Sequence, residues 1–412
     1  MIEMKKTVIR QYARLIASVG AAVQKGQSVV INAEADQYEF VKVLVEECYR
    51  CGAAEVSADF AYQPLTRLNV RHQSAKTLGT VKGWEEARLR YRAETLPAMI
   101  YLESADPDGL DGINQQKWGK AMQSRYKVIK PIRDTMENKY QWCIAGVPGE
   151  RWAKKMFPGE SRSRAMEKLW EAILATSRAD GPDPAQAWAD HNADLKARCD
   201  YLNSLELRSL EYKAGNGTQL TVGLIPDSQF LGGAEAALGS GIIYNPNIPS
   251  EECFITPMKG QAEGIVYSSR PLSFRGLMIE DFSIRFEGGR AVEVHAAKNE
   301  DALRQIISMD DGAAMLGECA LVPYDSPIRN CGLMFYSTLY DENAACHLAL
   351  GMGFENSLKD YEKYTLAECR EKGINDSMMH EDFMIGTADL SIVGVTARGE
   401  RVQIFRDGNW AF

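Results

Sequence analysis

Residues 28–33 read SVVINA, a short run of apolar and β-branched residues that decides the fold of the N-terminal half. Apolar residues at 9–24 recur at intervals of three and four, as on an amphipathic helix, and residues 38–51 are also helical in pattern. Two more apolar runs, AEVSADF at 54–60 and AMIYLES at 98–104, follow with helical patterns between them. Strands that alternate with helices predict a mostly parallel sheet.

The pattern changes after about residue 205. Residues 117–205 are mainly helical, with one strand predicted at 140–147, whereas ELRSLEYKAGNGTQLTVGL at 206–224 predicts a hairpin around a Gly-Asn-Gly turn. We therefore predict an α/β protein of two domains. Residues 1–205 form a mostly parallel sheet with helices, and residues 206–412 form an α+β domain with a mixed or antiparallel sheet.

Composition narrows the class of protein. Of 412 residues, 45% are hydrophobic and 25% charged, as in globular proteins, and the net charge of -9 disfavours nucleic acid or an anionic membrane as partner. The N-terminal stretch has no apolar core of a secretory signal, and no run of 18 apolar residues predicts a membrane span. Nine cysteines, an odd number, suit a reducing cytoplasm, and Cys48 and Cys51 are interpreted as the end of a helix.

Polar residues with metal-binding chemistry occur in four segments of the C-terminal half. The segments are NIPSEECFITP at 247–257, MLGECALVP at 315–323, DENAACHLALGMGF at 341–354 and MMHEDFMIG at 378–386. In a strand, His380 and Asp382 share one face, whereas the adjacent Glu251 and Glu252 point to opposite faces. Glu318 in its apolar run needs a partner if buried.

Each segment also has a plainer interpretation. A lone histidine such as His347, followed here by small residues in a helix-like pattern, is more often a cap or a core residue than a metal ligand. The other three histidines, His72, His191 and His295, lie among polar neighbours and are interpreted as ordinary surface or partly buried residues.

If the four segments do form a metal site, their carboxylates and imidazoles, without thiolates, would suit zinc, cobalt or manganese.

Taken in order, these segments resemble the thermophilic-type metalloaminopeptidases, the family of aminopeptidases T and S. The resemblance extends from YARLIASVGAAVQKGQSVVI at 12–31, through WAKKMFP at 152–158 and GNGTQLTVGL at 215–224, to FYSTLYDENAACHLALG at 335–351 and HEDFMIGTADL at 380–390. It implies an enzyme with two divalent metal ions, zinc, cobalt or manganese, that removes the N-terminal residue of peptides, and a homodimer.

The resemblance also implies a ligand set. The metal ligands of the family fall on Glu252, Glu318, His347, His380 and Asp382. Glu342 matches a further acidic position, as a ligand or as a partner of one. Two ions that share a water would convert it to hydroxide near neutral pH. Glu251 is available as general base, although its neighbour Glu252 matches the ligand.

One position departs from the family pattern. The family has a tyrosine seven residues after the ligand histidine, where this chain has Phe354, which can neither ligate a metal nor donate a hydrogen bond. Tyr361 and Tyr364 are close in sequence and are possible substitutes. Glu381, between two expected ligands, is predicted to point away from the metal.

Two alternatives remain open at this stage. His347, His380 and one carboxylate would make the triad of a mononuclear iron dioxygenase that opens hydroxylated rings, and such dioxygenases of hydroxypyridines resemble this family. The presence of both Glu252 and Glu318 argues against that reading. The other alternative is an impaired or inactive metal-binding homologue, motivated by Phe354.

Overall fold

The computed structural model describes residues 6–275 and 277–412, which form two compact units. One unit contains the chain up to Asp190 together with Ala234–Pro249, and the other contains His191–Gly233 and Ser250–Phe412. The chain therefore enters the second unit twice, a feature that the single predicted boundary near Leu205 did not include. Residues 1–5, where the stretch assessed for a secretory signal begins, lie outside the described residues.

A five-stranded parallel sheet organises the first unit, as the alternation of strands and helices predicts. Its strands lie in the order Glu55–Ala61, Ser28–Glu34, Ala98–Glu103, Trp142–Gly146 and Asn247–Ile248, and each neighbouring pair is parallel. Val29, Ile31 and Ala33 on one side of this strand are buried, and so is Val30 on the alternate side. Burial of both faces explains why this strand has a continuous apolar run.

Helices of the first unit fill the intervals between its strands. Their bounds are Lys6–Leu15, followed by a π-helical turn at Ile16–Gly20, then Tyr38–Arg50, Gln63–His72, Ala75–Gly79, Gly83–Thr95, Gln115–Arg133, Glu150–Met156 and Arg162–Thr176. A 3-10 turn at Ala35–Gln37 and the short strands Glu235–Ala236 and Ile243–Tyr244 complete the unit. The helix Pro184–Ser204 contains the point at which the chain passes into the second unit.

A nine-stranded antiparallel sheet provides much of the second unit. Its order is Leu272–Phe274, Leu277–Glu287, Pro257–Tyr267, Gln219–Leu224, Leu207–Lys213, Ser391–Thr396, Arg401–Arg406 and Asn409–Trp410, with Arg290–Lys298 paired to Leu277–Glu287. The predicted hairpin is confirmed, and Gly217 in its turn has a φ of 103°, which favours glycine. The α-helices of the unit after residue 204 are Glu300–Ile307, Pro327–Asn330, Thr338–Asp341 and Leu366–Glu371.

A second, four-stranded sheet of this unit carries the predicted ligands and is called the ligand sheet here. Its antiparallel strands are Cys253–Ile255, Leu316–Leu321, His347–Gly351 and His380–Met384, in that order. The helix-like pattern after His347 was therefore wrongly interpreted, because these residues form a strand. All five of its residues are buried, so the alternation that marks a half-exposed strand is absent.

Within residues 6–275 and 277–412, no helix has both the length and the apolar character required to cross a bilayer.

Candidate metal centre

The pairing register of the ligand sheet places four predicted ligands on one face. Glu318 pairs with Ala349, which pairs with Asp382 on its other side, and directly paired residues share a face. His347 lies two residues before Ala349, and His380 lies two before Asp382, so both point to the same side. We call the side that carries these residues the ligand face.

The opposite face of the sheet lies in the hydrophobic core. Cys319, Leu348 and Phe383 alternate with the polar residues and are almost completely buried. Small residues occupy the centre of the ligand face, and at Gly351 a Cβ atom would lie 2.1 Å from the carbonyl oxygen of Met379. The sheet is therefore held by apolar packing on one side while the other side remains available for polar chemistry.

Two further carboxylates reach the ligand face from outside the strands. Glu252 immediately precedes Cys253–Ile255, and Glu342 begins the 3-10 turn Glu342–Ala344. Together, the six predicted metal residues form three overlapping groups, in each of which the possible ligand atoms lie within 4.8 Å of one another. The groups are Glu252 with Glu318 and His347, Glu318 with His380 and Asp382, and Glu342 with His347 and Asp382.

Both histidines present the same ring nitrogen to the carboxylates. Nε2 of His347 lies 3.1 Å from Oε2 of Glu252, and Nε2 of His380 lies 3.0 Å from Oε2 of Glu318. Nδ1 of His347 donates to the carbonyl of Ala345 at 3.2 Å, and Nδ1 of His380 donates to the carbonyl of Met352 at 2.7 Å. Because a carbonyl only accepts, Nδ1 carries a proton, which leaves Nε2 available as a metal ligand.

The cluster concentrates negative charge in a buried site. Burial raises the pKa of Glu318 to about 7, a rise that the hydrogen bond with His380 opposes and the charges of Glu252 and Asp382 increase. Burial likewise raises the pKa of Glu342 well above its ordinary range. Burial alone would lower the pKa of His347, but hydrogen bonding and charge from Glu252 outweigh this and raise it to about 10. Burial is thus the main cause of both carboxylate shifts, and the charges of neighbouring carboxylates add to them.

A divalent cation fits this donor set. Oδ1 of Asp382 is buried and has no hydrogen-bond partner among the described residues, although it lies 3.3 Å from Nε2 of His380. A buried carboxylate oxygen without a hydrogen bond is costly unless it binds a cation. Carboxylate oxygens and imidazole nitrogens without thiolates suit zinc, cobalt or manganese, as the sequence indicated.

Removing divalent ions with a chelator is expected to lower the melting temperature, and to lower it more at about pH 8 than at about pH 5.5. Without metal, the folded-state pKa of Glu318 is raised from 4.5 to about 7. The stability contributed by its protonated form is therefore present at low pH and is lost as the pH rises through about 7. Calorimetry with and without chelator at both pH values measures the difference, and a larger effect at the lower pH would contradict it.

Glu251, the candidate general base, belongs to none of the three groups. It is buried, and it precedes the strand rather than lying in it, so strand alternation does not determine its direction. Its backbone N–H donates to Oδ1 of Asn343 at 2.7 Å, and its Oε2 lies 3.9 Å from Nε2 of His191. The same Nε2 of His191 donates to the carbonyl of Ser250 at 2.7 Å. The sequence predicted His191 to be an ordinary surface or partly buried residue.

Asn343 is a residue that the sequence did not single out. Its side chain is fully buried, and Nδ2 donates to the carbonyl of Leu339 at 2.9 Å and to Oε1 of Glu342 at 3.3 Å. With the bond from the N–H of Glu251, one amide thus joins two segments of the site. Only the position of Asn343 beside Glu342 hinted at this role.

Asn343→Ala is expected to destabilise the protein by about 3 kcal/mol, because it removes buried hydrogen bonds and leaves the N–H of Glu251 without its partner. Urea denaturation of the variant and the unchanged protein measures the effect. Asn216→Ala, at an exposed turn position, is the matched control and should change stability by less than about 1 kcal/mol. Equal stability of the two variants would show that Asn343 does not hold the site together.

Phe354 lies beside the ligand face, where the family pattern predicts a tyrosine. Its ring centroid is 4.8 Å from that of His380 and 5.7 Å from that of Phe254. Tyr361 and Tyr364, considered as substitutes, instead pack against the small apolar cluster of Ile225, Leu358, Cys369 and Ile374.

Glu381 pairs with Leu350 and therefore points away from the ligand face, as predicted. Burial raises its pKa to about 8, and the charge of Arg275 opposes that rise. Glu381 thus belongs to the surroundings of Arg275 and not to the metal ligands.

Comparisons with known proteins identify the family of the chain. The sequence profile of the thermophilic metalloprotease family (M29) matches residues 5–410. Aminopeptidase AmpS of Bacillus subtilis is 38% identical over 405 residues, which cover 98% of both chains. Aminopeptidase 2 of Geobacillus stearothermophilus is 36% identical over 98% of this chain and 97% of its own. The solved structure of wild-type AmpT from Thermus thermophilus superposes with a TM-score of 0.89 at 35% identity, covering 99% of this chain and all of that one.

Proposed function

The chain belongs to the thermophilic metalloprotease family M29, and from this premise we propose that it is a metal-dependent aminopeptidase that removes the N-terminal residue of peptides. Relatives named aminopeptidases, at 35–38% identity over 98% of the chain, support the activity. The observation that carries the proposal is the convergence of His347, His380 and four carboxylates on one buried face.

We further propose that the site holds two divalent ions, with zinc, cobalt and manganese as candidates. The overlap of the three residue groups supports two positions, because Glu318, His347 and Asp382 each belong to two groups. His380 would serve one ion and His347 the other, while the shared carboxylates would hold both. Divalent ions bound there would supply Lewis-acid activation of a water and of the scissile carbonyl.

The protein groups of the site have separable roles in this proposal. The carbonyls of Ala345 and Met352 fix the imidazoles, so that Nε2 of each histidine stays directed at the ligand face. Glu251 is proposed as the base that takes a proton during attack and returns it to the leaving amine. Its backbone N–H is held by Asn343, which supports a fixed position for this carboxylate.

We also propose that the protein acts in the cytoplasm as a homodimer on peptides, without nucleic-acid or membrane partners. Apolar side chains of the first unit support a protein interface, since Phe60, Tyr62, Leu65 and Leu68 are each at least half exposed.

The ring-cleaving dioxygenase remains a second candidate only as an outcome of the test, because a mononuclear site needs three ligands and the ligand face offers six.

The test uses purified protein loaded separately with zinc, cobalt and manganese, and one pentapeptide in free and N-acetylated forms. Stepwise loss of single residues from the free peptide alone, followed by mass spectrometry, is the expected result. Cleavage of the acetylated peptide would contradict an aminopeptidase. No cleavage with any metal would overturn the proposal, and oxygen uptake by the iron-loaded protein with a dihydroxylated ring would then favour the dioxygenase.

A further inference from the structure

A cavity of about 140 Å³ lies in the first unit, between the helices Gly83–Thr95 and Gln115–Arg133. Its apolar lining includes Leu89, Ile129 and Ile132. An apolar protein cavity of about 150 Å³ accommodates a molecule the size of benzene. The cavity therefore has room for an aliphatic side chain, and it contains none of the metal-site residues.

The helix Gly83–Thr95 forms one side of this cavity. None of its residues is fully buried, and Glu85, Leu89 and Arg92, which share one helical face, line the cavity. On the opposite helix, Val128 also lines the cavity and is 39% exposed. A helix normally covers such apolar residues with its own apolar stripe, whereas here two charged side chains take that place.

Positive charge predominates around the cavity. The lining contains four arginines, Arg88, Arg92, Arg125 and Arg133, but only two carboxylates, Glu85 and Glu86. Arg125 pairs with Glu85 at 2.6 Å, and Arg88 and Arg92 share the single carboxylate of Asp59 at 3.0 and 2.5 Å. Glu86 pairs with Arg90, which lies outside the lining. The two partners outside the lining, Asp59 and Arg90, carry opposite charges, so the excess of positive charge in the lining remains.

We propose that this cavity binds an apolar residue that carries a free α-carboxylate. The aliphatic side chain would lie against Leu89 and Ile129, and the carboxylate would accept hydrogen bonds from the surplus guanidinium groups, whose planar donors match a carboxylate. Two sources share this chemistry, a free hydrophobic amino acid and the C-terminal residue of a peptide. The site does not depend on the proposed aminopeptidase activity.

Calorimetric titration at low salt with leucine, N-acetylleucine and N-acetylleucinamide tests the proposal and its source. N-acetylleucine and leucine should both bind if the cavity accepts a peptide C-terminus, whereas leucine alone should bind if it accepts the free amino acid. N-acetylleucinamide, which lacks the carboxylate, should bind at least about tenfold more weakly than whichever of the two carboxylates binds. Equal binding of that neutral amide, or no binding of either carboxylate, would overturn the proposal.

Variants of the lining separate this site from carboxylate binding at the metal centre. Arg133→Gln should weaken binding about tenfold, and Val128→Trp, which fills the cavity from a partly exposed position, should abolish it. Arg71→Gln and Val292→Trp change exposed residues outside the lining and should bind as the unchanged protein does. Binding that persists unaltered in both lining variants would place the ligand elsewhere and refute the site.

Discussion

Replacing His347 with alanine is expected to remove metal from the protein and to lower aminopeptidase turnover at least about 100-fold. Loss of a group that merely supports a metal ligand typically costs about 10- to 100-fold in affinity or activity, so loss of the ligand should cost more. His347 belongs to two of the three residue groups, and its Nε2 lies 3.1 Å from Oε2 of Glu252. Its removal would therefore empty the ion position that His347 is proposed to serve and disturb the carboxylates shared with the other.

Metal content by mass spectrometry, beside the peptide assay, measures the effect of this change. Because His347 is fully buried, His347→Gln is included to preserve most of the volume while changing the ligand. His72→Ala, at an exposed histidine, is the matched control and should leave both metal content and turnover unchanged. An unaltered number of ions per chain in His347→Ala would show that this histidine is not a ligand.

The parallel sheet was accessible from the sequence because its strands are separated by clear helical patterns. SVVINA becomes the strand Ser28–Glu34, and the predicted strands at 54–60 and 98–104 correspond to its two neighbours in the sheet. HLALG was misread because a fully buried strand of small and apolar residues has no period of two. The discontinuity of the two units also escaped prediction, since it depends on contacts of residues distant in sequence.

The sequence allowed the individual residues of the candidate site to be predicted, but not how the fold brings them together. The spacing of His380 and Asp382 placed both on one strand face, and the register confirms that placement. No local pattern showed that Glu318 and Asp382, on two different strands, both pair with Ala349 of the strand between them. The link from Asn343 to the N–H of Glu251 joins residues 92 positions apart, so it emerges only from the fold.

Phe354→Tyr is expected to raise aminopeptidase turnover about 100-fold, with most of the change in kcat. Phe354 stands where the family pattern has tyrosine, and its ring lies 4.8 Å from that of His380. A phenol at this position would add a hydrogen-bond donor or ligand beside the metal centre. Since removing one donor to a developing oxyanion typically costs about 10²- to 10³-fold in rate, adding it should recover a similar factor. An effect confined to the transition state changes kcat and leaves KM nearly constant.

Phe254→Tyr provides a matched control for this change, because it adds the same hydroxyl to a neighbouring ring 5.7 Å from Phe354. Only Phe354→Tyr should raise kcat and hold metal more tightly during dialysis against a weak chelator. If both variants match the unchanged protein in kcat and metal retention, the phenylalanine is no impairment, and the ligand face works with its histidines and carboxylates alone. If Phe354→Tyr instead lowers kcat, the apolar ring beside His380 is itself required, because it excludes water or shapes the substrate pocket.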